Sequence, residues 1–234
     1  VYFYKNNTLE GTVTGLNFDG YAIGVAGNSG TNRTFTAVVN YGQRSWVYSA
    51  PSGYKALNTA SLPTPTIADG STAFDIATYT GNFTDGTAIT GLNLSSAPDL
   101  VWIKARSQAY DHMMFDSVRG ATKNLRPNKR DNEGTNANDL QSFDSNGFTV
   151  GYGGYVNGNN VTFVGWCWDG GTSTVSNTDG SITSSVRGST TNGFSIVKYT
   201  GTGANATVGH GCGAAPDCII FKDINRDNEP WFVY

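Results

Sequence analysis

The chain contains an internal repeat, in which residues 74–104 and residues 194–222 read as two copies of one sequence. Both copies begin with Phe-x-Ile, continue with Tyr-Thr-Gly, and close with Ala-Pro-Asp, an aliphatic run and a lysine, Lys104 or Lys222. Self-similarity of this kind marks a supersecondary unit that is used more than once. The chain is therefore expected to fold as modules in tandem, with Phe194 near the start of a second module.

Short runs of alternating or aromatic-rich sequence recur along the whole chain, and each is bounded by Gly, Asn, Asp, Ser or Pro. The chain has 30 glycines in 234 residues, and only 14% of its residues are charged. This pattern indicates many short strands joined by turns. It predicts an all-β protein with very little helix, built from antiparallel β-sandwich or jelly-roll modules.

Two segments read as connectors between these modules. Residues 63–73 contain proline and show no periodicity, and residues 170–192 consist almost wholly of Gly, Ser, Thr and Asn. The second composition is typical of a flexible tether, although residues 181–186 also fit an edge strand. The division predicts a first part at 1–62, a first repeat module at 74–169 and the start of a second, truncated copy at 193–234. Both ends of the sequence read as strands, as expected of a segment of a longer chain.

Charge and cysteine usage exclude several classes of partner. The net charge is −3 and the Lys and Arg residues are scattered, so no nucleic-acid or membrane-surface interaction is expected. No apolar run reaches membrane-spanning length, so no membrane insertion is expected. The three cysteines lack a Cys-x-x-Cys spacing, which predicts free thiols that serve as small hydrophobes.

Catalytic and metal-ligating groups are sparse. The three glutamates, Glu10, Glu133 and Glu229, are far apart, and Asp111 and Asp116 have an odd separation that would put them on opposite faces of one strand. The two histidines, His112 and His210, are not set in a nucleophile elbow. No catalytic residue, metal or cofactor is therefore predicted. Recurrence of Asp99 and Lys104 as Asp217 and Lys222 argues for a role in folding.

Aromatic side chains in loops are the best candidates for ligand binding, because Tyr and Trp combine a large apolar face with a polar atom. The candidates lie in polar or Gly-rich surroundings and are Tyr152, Tyr155, Tyr110, Trp46 and Tyr54. Trp102, Trp166 and Trp168 lie within strand patterns and are expected to pack. The two copies diverge after Gly81 and after Lys104, so local function is expected in those loops.

The first part of the chain resembles the closing strands of SPRY domains. That resemblance rests on residues 34–63, where Asn40, Tyr41, Gly42, Gln43 and Trp46 match the pattern Asn-Phe-Gly-Gln followed by an aromatic residue and a proline. It covers the C-terminal half of such a domain. The resemblance implies a concanavalin-like β-sandwich for residues 1–62.

The rest of the chain resembles a domain of unknown function that is repeated in tail-fibre and other virion proteins of bacteriophages. The resemblance rests on APDLVWIKARS (97–107), HMMFDSVRGATKNL (112–125), SFDSNGFTVG (142–151) and VTFVGWCWDGG (161–171). In such proteins an SPRY-like module precedes the repeats. The resemblance implies a structural virion component, assembled in the host cytoplasm, with other virion subunits and a host glycan or protein receptor as partners. It also implies a homo-oligomer, and a trimer is typical of such fibres.

Two alternatives remain open from the sequence. The first is a secreted cellular adhesin or lectin that uses the same modules. The second is a polysaccharide depolymerase, which would need two carboxylates about 5 to 10 Å apart across a sugar. The absence of an obvious acidic pair disfavours the depolymerase.

Overall fold

A computed structural model of the protein describes residues 2–5, 8–12, 14, 45, 49, 52–53, 55, 62, 65 and 67–234. The chain divides into two compact units, Val1–Thr64 and Pro65–Tyr234. In the first unit, β1 (Tyr2–Lys5) pairs antiparallel with β2 (Thr8–Thr12). Most of residues 34–63, on which the SPRY resemblance rests, lie outside the described residues, as do Trp46 and Tyr54.

The second unit is built from short strands, as the turn-rich sequence predicts. Helical structure in the described residues is limited to a 3-10 turn at Gly70–Thr72 and one turn of helix, α1 (Gly154–Asn157). The strands are β3 (Phe74–Thr80), β4 (Thr87–Thr90), β5 (Leu100–Ala105), β6 (Met113–Asp116), β7 (Lys123–Asn124), β8 (Gly134–Thr135), β9 (Leu140–Asp144), β10 (Gly147–Val150), β11 (Thr162–Trp168), β12 (Val175–Asn177), β13 (Ser184–Ser189), β14 (Phe194–Lys198), β15 (Ile220–Lys222) and β16 (Trp231–Val233). The prediction of an all-β fold is confirmed.

Two antiparallel sheets form the body of the first repeat module. A four-stranded sheet has the order β3-β11-β5-β6, and a three-stranded sheet has the order β4-β10-β9. β11 comes from the end of the module, yet it lies between β3 and β5. The four-stranded sheet of the first copy is therefore complete only when β11, about 60 residues downstream of β5, pairs between β3 and β5.

The core lies between these two sheets. Val101, Ile103 and Phe163 of the four-stranded sheet belong to the same buried cluster as Phe148 and Val150 of the three-stranded sheet. Along β5 and β11, buried residues alternate with half-buried ones, as expected for strands with one face in a core. This two-layer arrangement is a β-sandwich.

The polar segment 170–192 is not a structureless tether, because it contains β12 and β13. These strands form an antiparallel sheet with β14, in which β13 is the central strand rather than an edge strand. Ile182, Ser184 and Val186 alternate inward and are buried. The local pattern at 181–186 fits an edge strand, but the central place of β13 depends on its pairing with both β12 and β14, which composition does not reveal.

Trp168 joins the two copies of the repeat. Its ring lies 4.8 Å from that of Phe74 and 6.1 Å from that of Phe194, measured between centroids. Phe74 and Phe194 occupy the same position in the two copies. Trp168 therefore packs, as predicted, and it does so against one residue of each copy.

The three cysteines are free. Cys167 is buried in the core, and burial raises the pKa of its thiol to about 12. Cys218 is exposed, so its expected role as a buried hydrophobe is wrong. It takes the place of Leu100 at the start of the second copy, where no partner sheet covers it in the described structure.

Candidate functional site

Three loops bring four aromatic side chains to one part of the surface of the first module. Loop 81–86 carries Phe83, loop 106–112 carries Tyr110, and the segment after β10 carries Tyr152 and Tyr155. Phe83, Tyr152 and Tyr155 are exposed, and Tyr110 is half-buried. We refer to these four residues as the aromatic surface.

The rings of the aromatic surface form two pairs. The centroids of Tyr110 and Tyr155 are 5.3 Å apart with an interplanar angle of 60°, and those of Phe83 and Tyr152 are 6.1 Å apart at 59°. Both geometries fall within the range preferred by interacting aromatic rings. The structure thus brings together three of the five residues predicted from sequence and adds Phe83.

Asn157 fixes the loops beneath the aromatic surface. Its side chain is fully buried, and Nδ2 donates to the carbonyl oxygens of Gly151 (2.8 Å) and Thr84 (3.0 Å). Its Oδ1 accepts from the backbone N–H of Asn82 (2.9 Å), and its own carbonyl accepts from Phe83 N–H (2.9 Å). A buried amide whose donors and acceptor are all used holds its partners rigidly. Asn157 therefore ties loop 81–86 to the Tyr152–Tyr155 segment.

Phe83 has a left-handed backbone conformation, with φ of 56°. This region is uncommon for a residue with a bulky side chain, and it persists only where the surroundings impose it. Here the N–H of Phe83 is held by the carbonyl of Asn157. The result is that a large apolar ring is kept more than half exposed.

Close backbone approach requires glycine at position 81. A Cβ atom at Gly81 would lie 2.3 Å from the carbonyl oxygen of Gly158 and 2.7 Å from the carbonyl carbon of Asn157. Tyr79 adds a second link, since its hydroxyl donates to the carbonyl of Val156 at 2.7 Å. Strand β3 is thereby joined directly to α1, which carries Tyr155.

A buried carboxyl group lies under the same segment. Asp139 is 3% exposed, and burial raises its pKa to about 6, against hydrogen bonds from Asn136 and Asn124. A Cβ at Gly153 would lie 2.2 Å from Asp139 Oδ1. Asp139 supports the Gly-Gly turn from below and is inaccessible to a ligand in this conformation.

The polar residues considered for catalysis are engaged elsewhere. Asp111 forms ion pairs with Arg126 and Lys129, and Asp116 pairs with Arg119. Asp111 lies before β6, so strand alternation does not relate it to Asp116. His112 accepts a hydrogen bond at Nδ1 from the indole of Trp102 at 2.9 Å, and burial lowers its pKa.

His210 lies in a separate open cleft of about 610 Å³, in the second copy. Its Nδ1 accepts from the backbone N–H of Cys212 at 3.2 Å, a contact that stabilises the surrounding Gly-rich turn. Within the described part of the chain, no three His, Cys, Asp or Glu side chains could hold a metal ion together. Across that same part, no helix is long and apolar enough to cross a membrane.

The sequence pointed to Tyr110, Tyr152 and Tyr155 but not to Phe83 or Asn157. The divergence of the two copies after Gly81 was the available signal, because Phe83 lies where the second copy has only Gly-Thr-Gly. Asn157 carried no such signal. Its partners in loop 81–86 are about 75 residues away in sequence.

The fold and the aromatic surface define an all-β protein with an exposed cluster of aromatic residues on one module. The chain belongs to the family described as a domain of unknown function (DUF7483), whose model matches residues 69–234. No curated protein matches the sequence, and no solved structure matches it.

Proposed function

We propose that this chain is a non-enzymatic component of a bacteriophage particle, part of a tail fibre or surface appendage, and that its aromatic surface binds a host glycan. The observation that carries the binding proposal is the placement of four aromatic rings on three loops, two of which are pinned by the buried amide of Asn157. Exposed aromatic clusters are costly unless they are used. The particle setting is supported by the sequence resemblance of residues 97–171.

Carbohydrate suits this surface for chemical reasons. A sugar ring has an apolar face of C–H groups and an edge of hydroxyl groups, and tyrosine offers an apolar ring beside a hydroxyl. The loop that carries Phe83 also carries polar side chains, among them Asp85, which accepts from Gln141 Nε2 at 2.8 Å. Because the loops are already fixed, a ligand would meet the rings without a large cost in chain ordering.

The cysteines support assembly in a reducing compartment such as the host cytoplasm. All three are free, and Cys218 is exposed. Structural disulfides are typical of secreted domains, while exposed free thiols persist where the environment is reducing. This favours a virion component assembled inside the cell over a secreted adhesin. Other virion subunits, including further copies of this chain, are the expected partners.

The binding proposal is tested on a glycan array, with Tyr155→Ala and Tyr152→Ala as the loss variants and Tyr199→Ala as the matched control. Tyr199 is 48% exposed and Tyr155 is 44% exposed, but Tyr199 lies outside the aromatic surface. Saturable binding should weaken at least about tenfold in the loss variants, as is common when an aromatic anchor is removed. Equal binding by all variants, or no binding by the native chain, would contradict the proposal that the aromatic surface binds a glycan.

The particle setting is tested separately by mass spectrometry and antibody labelling of purified phage particles. The protein should be present in them and reachable by antibody. Its absence from particles would contradict the setting and leave the binding result standing. Incubation with host polysaccharide should release no reducing ends. Their release would identify a depolymerase and contradict the non-enzymatic role.

A further inference from the structure

The hairpin formed by β15 and β16 exposes an apolar face. Ile219 and Phe221 are 47% and 38% exposed, and Phe232 and Tyr234 are exposed beside them. The rings of Phe232 and Tyr234 stack on Phe221 with centroid distances of 5.0 and 5.7 Å. Ordered, contiguous apolar residues at a surface indicate an interaction site.

The internal repeat gives each exposed residue a counterpart in the first copy. Alignment at Ala-Pro-Asp places Ile219 at the position of Val101 and Phe221 at that of Ile103. Val101 and Ile103 are both 0% exposed. They are buried because β5 lies between β6 and β11, in a sheet that is covered on its inner face. In the described structure, β16 is the one strand that pairs with β15.

Backbone hydrogen bonds show which edge of β15 is free. In the first copy, the carbonyl of Asp99 accepts from Ser117 on the β6 side, and the N–H of Arg106 donates to Thr162 of β11. Successive residues of a strand point their backbone groups to opposite edges. The backbone N–H and C=O groups of odd-numbered residues of β5 therefore point to β6, and those of even-numbered residues point to β11.

The second copy uses the same edge for its hairpin. The backbone of Ile219 exchanges two hydrogen bonds with that of Tyr234, of 2.8 and 2.9 Å. Its backbone groups therefore point towards β16, as those of Val101 point towards β6. The backbone groups of Ile220 and Lys222 then point to the other edge, which in the first copy is the edge occupied by β11. The free edge of β15 and the edge of β5 that binds β11 are equivalent.

The hairpin is held in place without a strand at that edge. Trp231 Nε1 donates to the carbonyl of Arg126 at 3.2 Å, and Glu133 N–H donates to the carbonyl of Ile224 at 2.9 Å. A preformed edge offers main-chain hydrogen bonds to an added strand at low ordering cost.

We propose that the free edge of β15 is a binding site for an extended polypeptide strand of the β11 type, added antiparallel to β15. Such a strand alternates, as β11 does with Phe163, Gly165 and Cys167 on the core-facing side. Its apolar side chains would lie beside Ile219 and Phe221 on the same face of the sheet, as Phe163, Gly165 and Cys167 lie beside their neighbours on β5. The second residue after the strand would reach Asp217, which is exposed, as Gly170 N–H reaches Asp99 Oδ2 at 2.8 Å in the first copy. The inference is independent of glycan binding.

The test adds a synthetic peptide with the sequence of residues 159–170 to the full-length isotope-labelled chain and follows amide hydrogen exchange by NMR. Exchange at Ile220 and Lys222 should slow at least about tenfold at roughly 1 mM peptide. A peptide carrying Val164→Pro is the control and should give no slowing, because proline removes an N–H from the added strand and disrupts its pairing.

A matched protein variant separates edge binding from nonspecific adhesion. Ile220→Pro removes an N–H that faces the free edge, and it leaves the hydrogen bonds between Ile219 and Tyr234 in place. In this variant the peptide should no longer slow amide exchange at Lys222, while the amide of Ile219 should stay protected from exchange. Unchanged exchange in the native chain would overturn the proposal. Protection of Ile220 that grows with protein concentration in the absence of peptide would also overturn it, in favour of pairing between two copies of this chain.

Discussion

Arg187 Nε lies 2.7 Å from Asp99 Oδ1, and the two side chains are only 18% and 1% exposed. This ion pair connects β13, in the segment expected to be a tether, with the residue immediately before β5 in the first copy. Asp99 also accepts from the Ser117 hydroxyl and the Gly170 N–H, both at 2.8 Å. Asp99 is thus a buried junction of four chain segments, in line with its predicted role in folding, while its counterpart Asp217 is exposed.

Removal of Arg187 should destabilise the second unit strongly. Arg187→Met leaves the Asp99 carboxylate buried without its counter-ion, and breaking one side of a buried pair typically costs about 3–5 kcal/mol. The free energy of unfolding, measured by chemical denaturation at neutral pH, checks this. Arg106→Met is the control, because Arg106 is exposed and its change should cost under about 0.5 kcal/mol.

The same variant should recover stability at low pH. Burial raises the pKa of the Asp99 carboxyl, opposed by the Ser117 hydrogen bond and the charge of Arg187. In Arg187→Met the opposing charge is gone, so protonation of Asp99 removes the unpaired buried charge. A stability difference from the native chain that stays constant as the pH falls would show that water or another group replaces Arg187.

Asp139 should make the protein less stable as the pH rises from about 4 to about 7. Its folded-state pKa of about 6 lies above the ordinary aspartate pKa of 3.8, so the folded state binds the proton more tightly than the unfolded state does. The associated stability is complete below the unfolded pKa and is lost as the pH passes the folded pKa. Two pKa units correspond to about 3 kcal/mol.

The Asp139→Asn variant isolates this contribution from that of other acids. Asparagine keeps an acceptor for Asn124 and has no proton to lose in this range. The difference in unfolding free energy between native and variant chains should therefore shift in favour of the variant by up to about 3 kcal/mol across the window. A difference that does not change with pH would mean that the Asp139 carboxyl is hydrated in solution.

Asn157→Ala should loosen the aromatic surface and destabilise the fold. The change leaves the Gly151 and Thr84 carbonyls and the Asn82 N–H without their partner. The Gly151 bond is buried and the other two are part-buried, and an unpaired buried group costs about 1–3 kcal/mol. A loss of roughly 2–4 kcal/mol in unfolding free energy is expected, together with faster amide exchange in loop 81–86. Asn159→Ala, at an exposed neighbour, is the control. Equal exchange in the two variants would contradict the role assigned to Asn157.

How much the sequence predicts depends on whether a signal is local. The alternation in β11 (Thr162–Trp168) and the turn residues around it predict a half-buried strand directly. The position of β11 between β3 and β5 is set by long-range pairing. The central place of β13 is set in the same way, by its pairing with β12 and β14, so the local sequence indicated no more than an edge strand. Likewise, the local sequence predicts that tyrosines in Gly-rich loops are exposed. The pairing of the Phe83 and Tyr152 rings could not be predicted in this way, because it depends on hydrogen bonds from Asn157 to a loop that is distant in sequence.

The left-handed backbone of Phe83 should reduce the stability of the fold, in exchange for an exposed ring that can contact a ligand. A left-handed backbone is unfavourable for a residue with a Cβ by roughly 1–2 kcal/mol, and glycine adopts it without strain. Phe83→Gly removes this strain but adds freedom to the unfolded chain, which costs up to about 1 kcal/mol in return. The unfolding free energy should therefore stay within about 1 kcal/mol of the native value.

Glycan affinity should nevertheless fall at least about tenfold in Phe83→Gly, because the exposed ring beside Tyr152 is lost. Phe83→Asn is the matched control for the backbone, since asparagine tolerates the left-handed region better than other non-glycine residues. It should retain stability and lose affinity to the same degree. A loss of more than about 2 kcal/mol in both variants, with affinity retained by the folded fraction, would show that the Phe83 ring supports the loop instead of contacting a ligand.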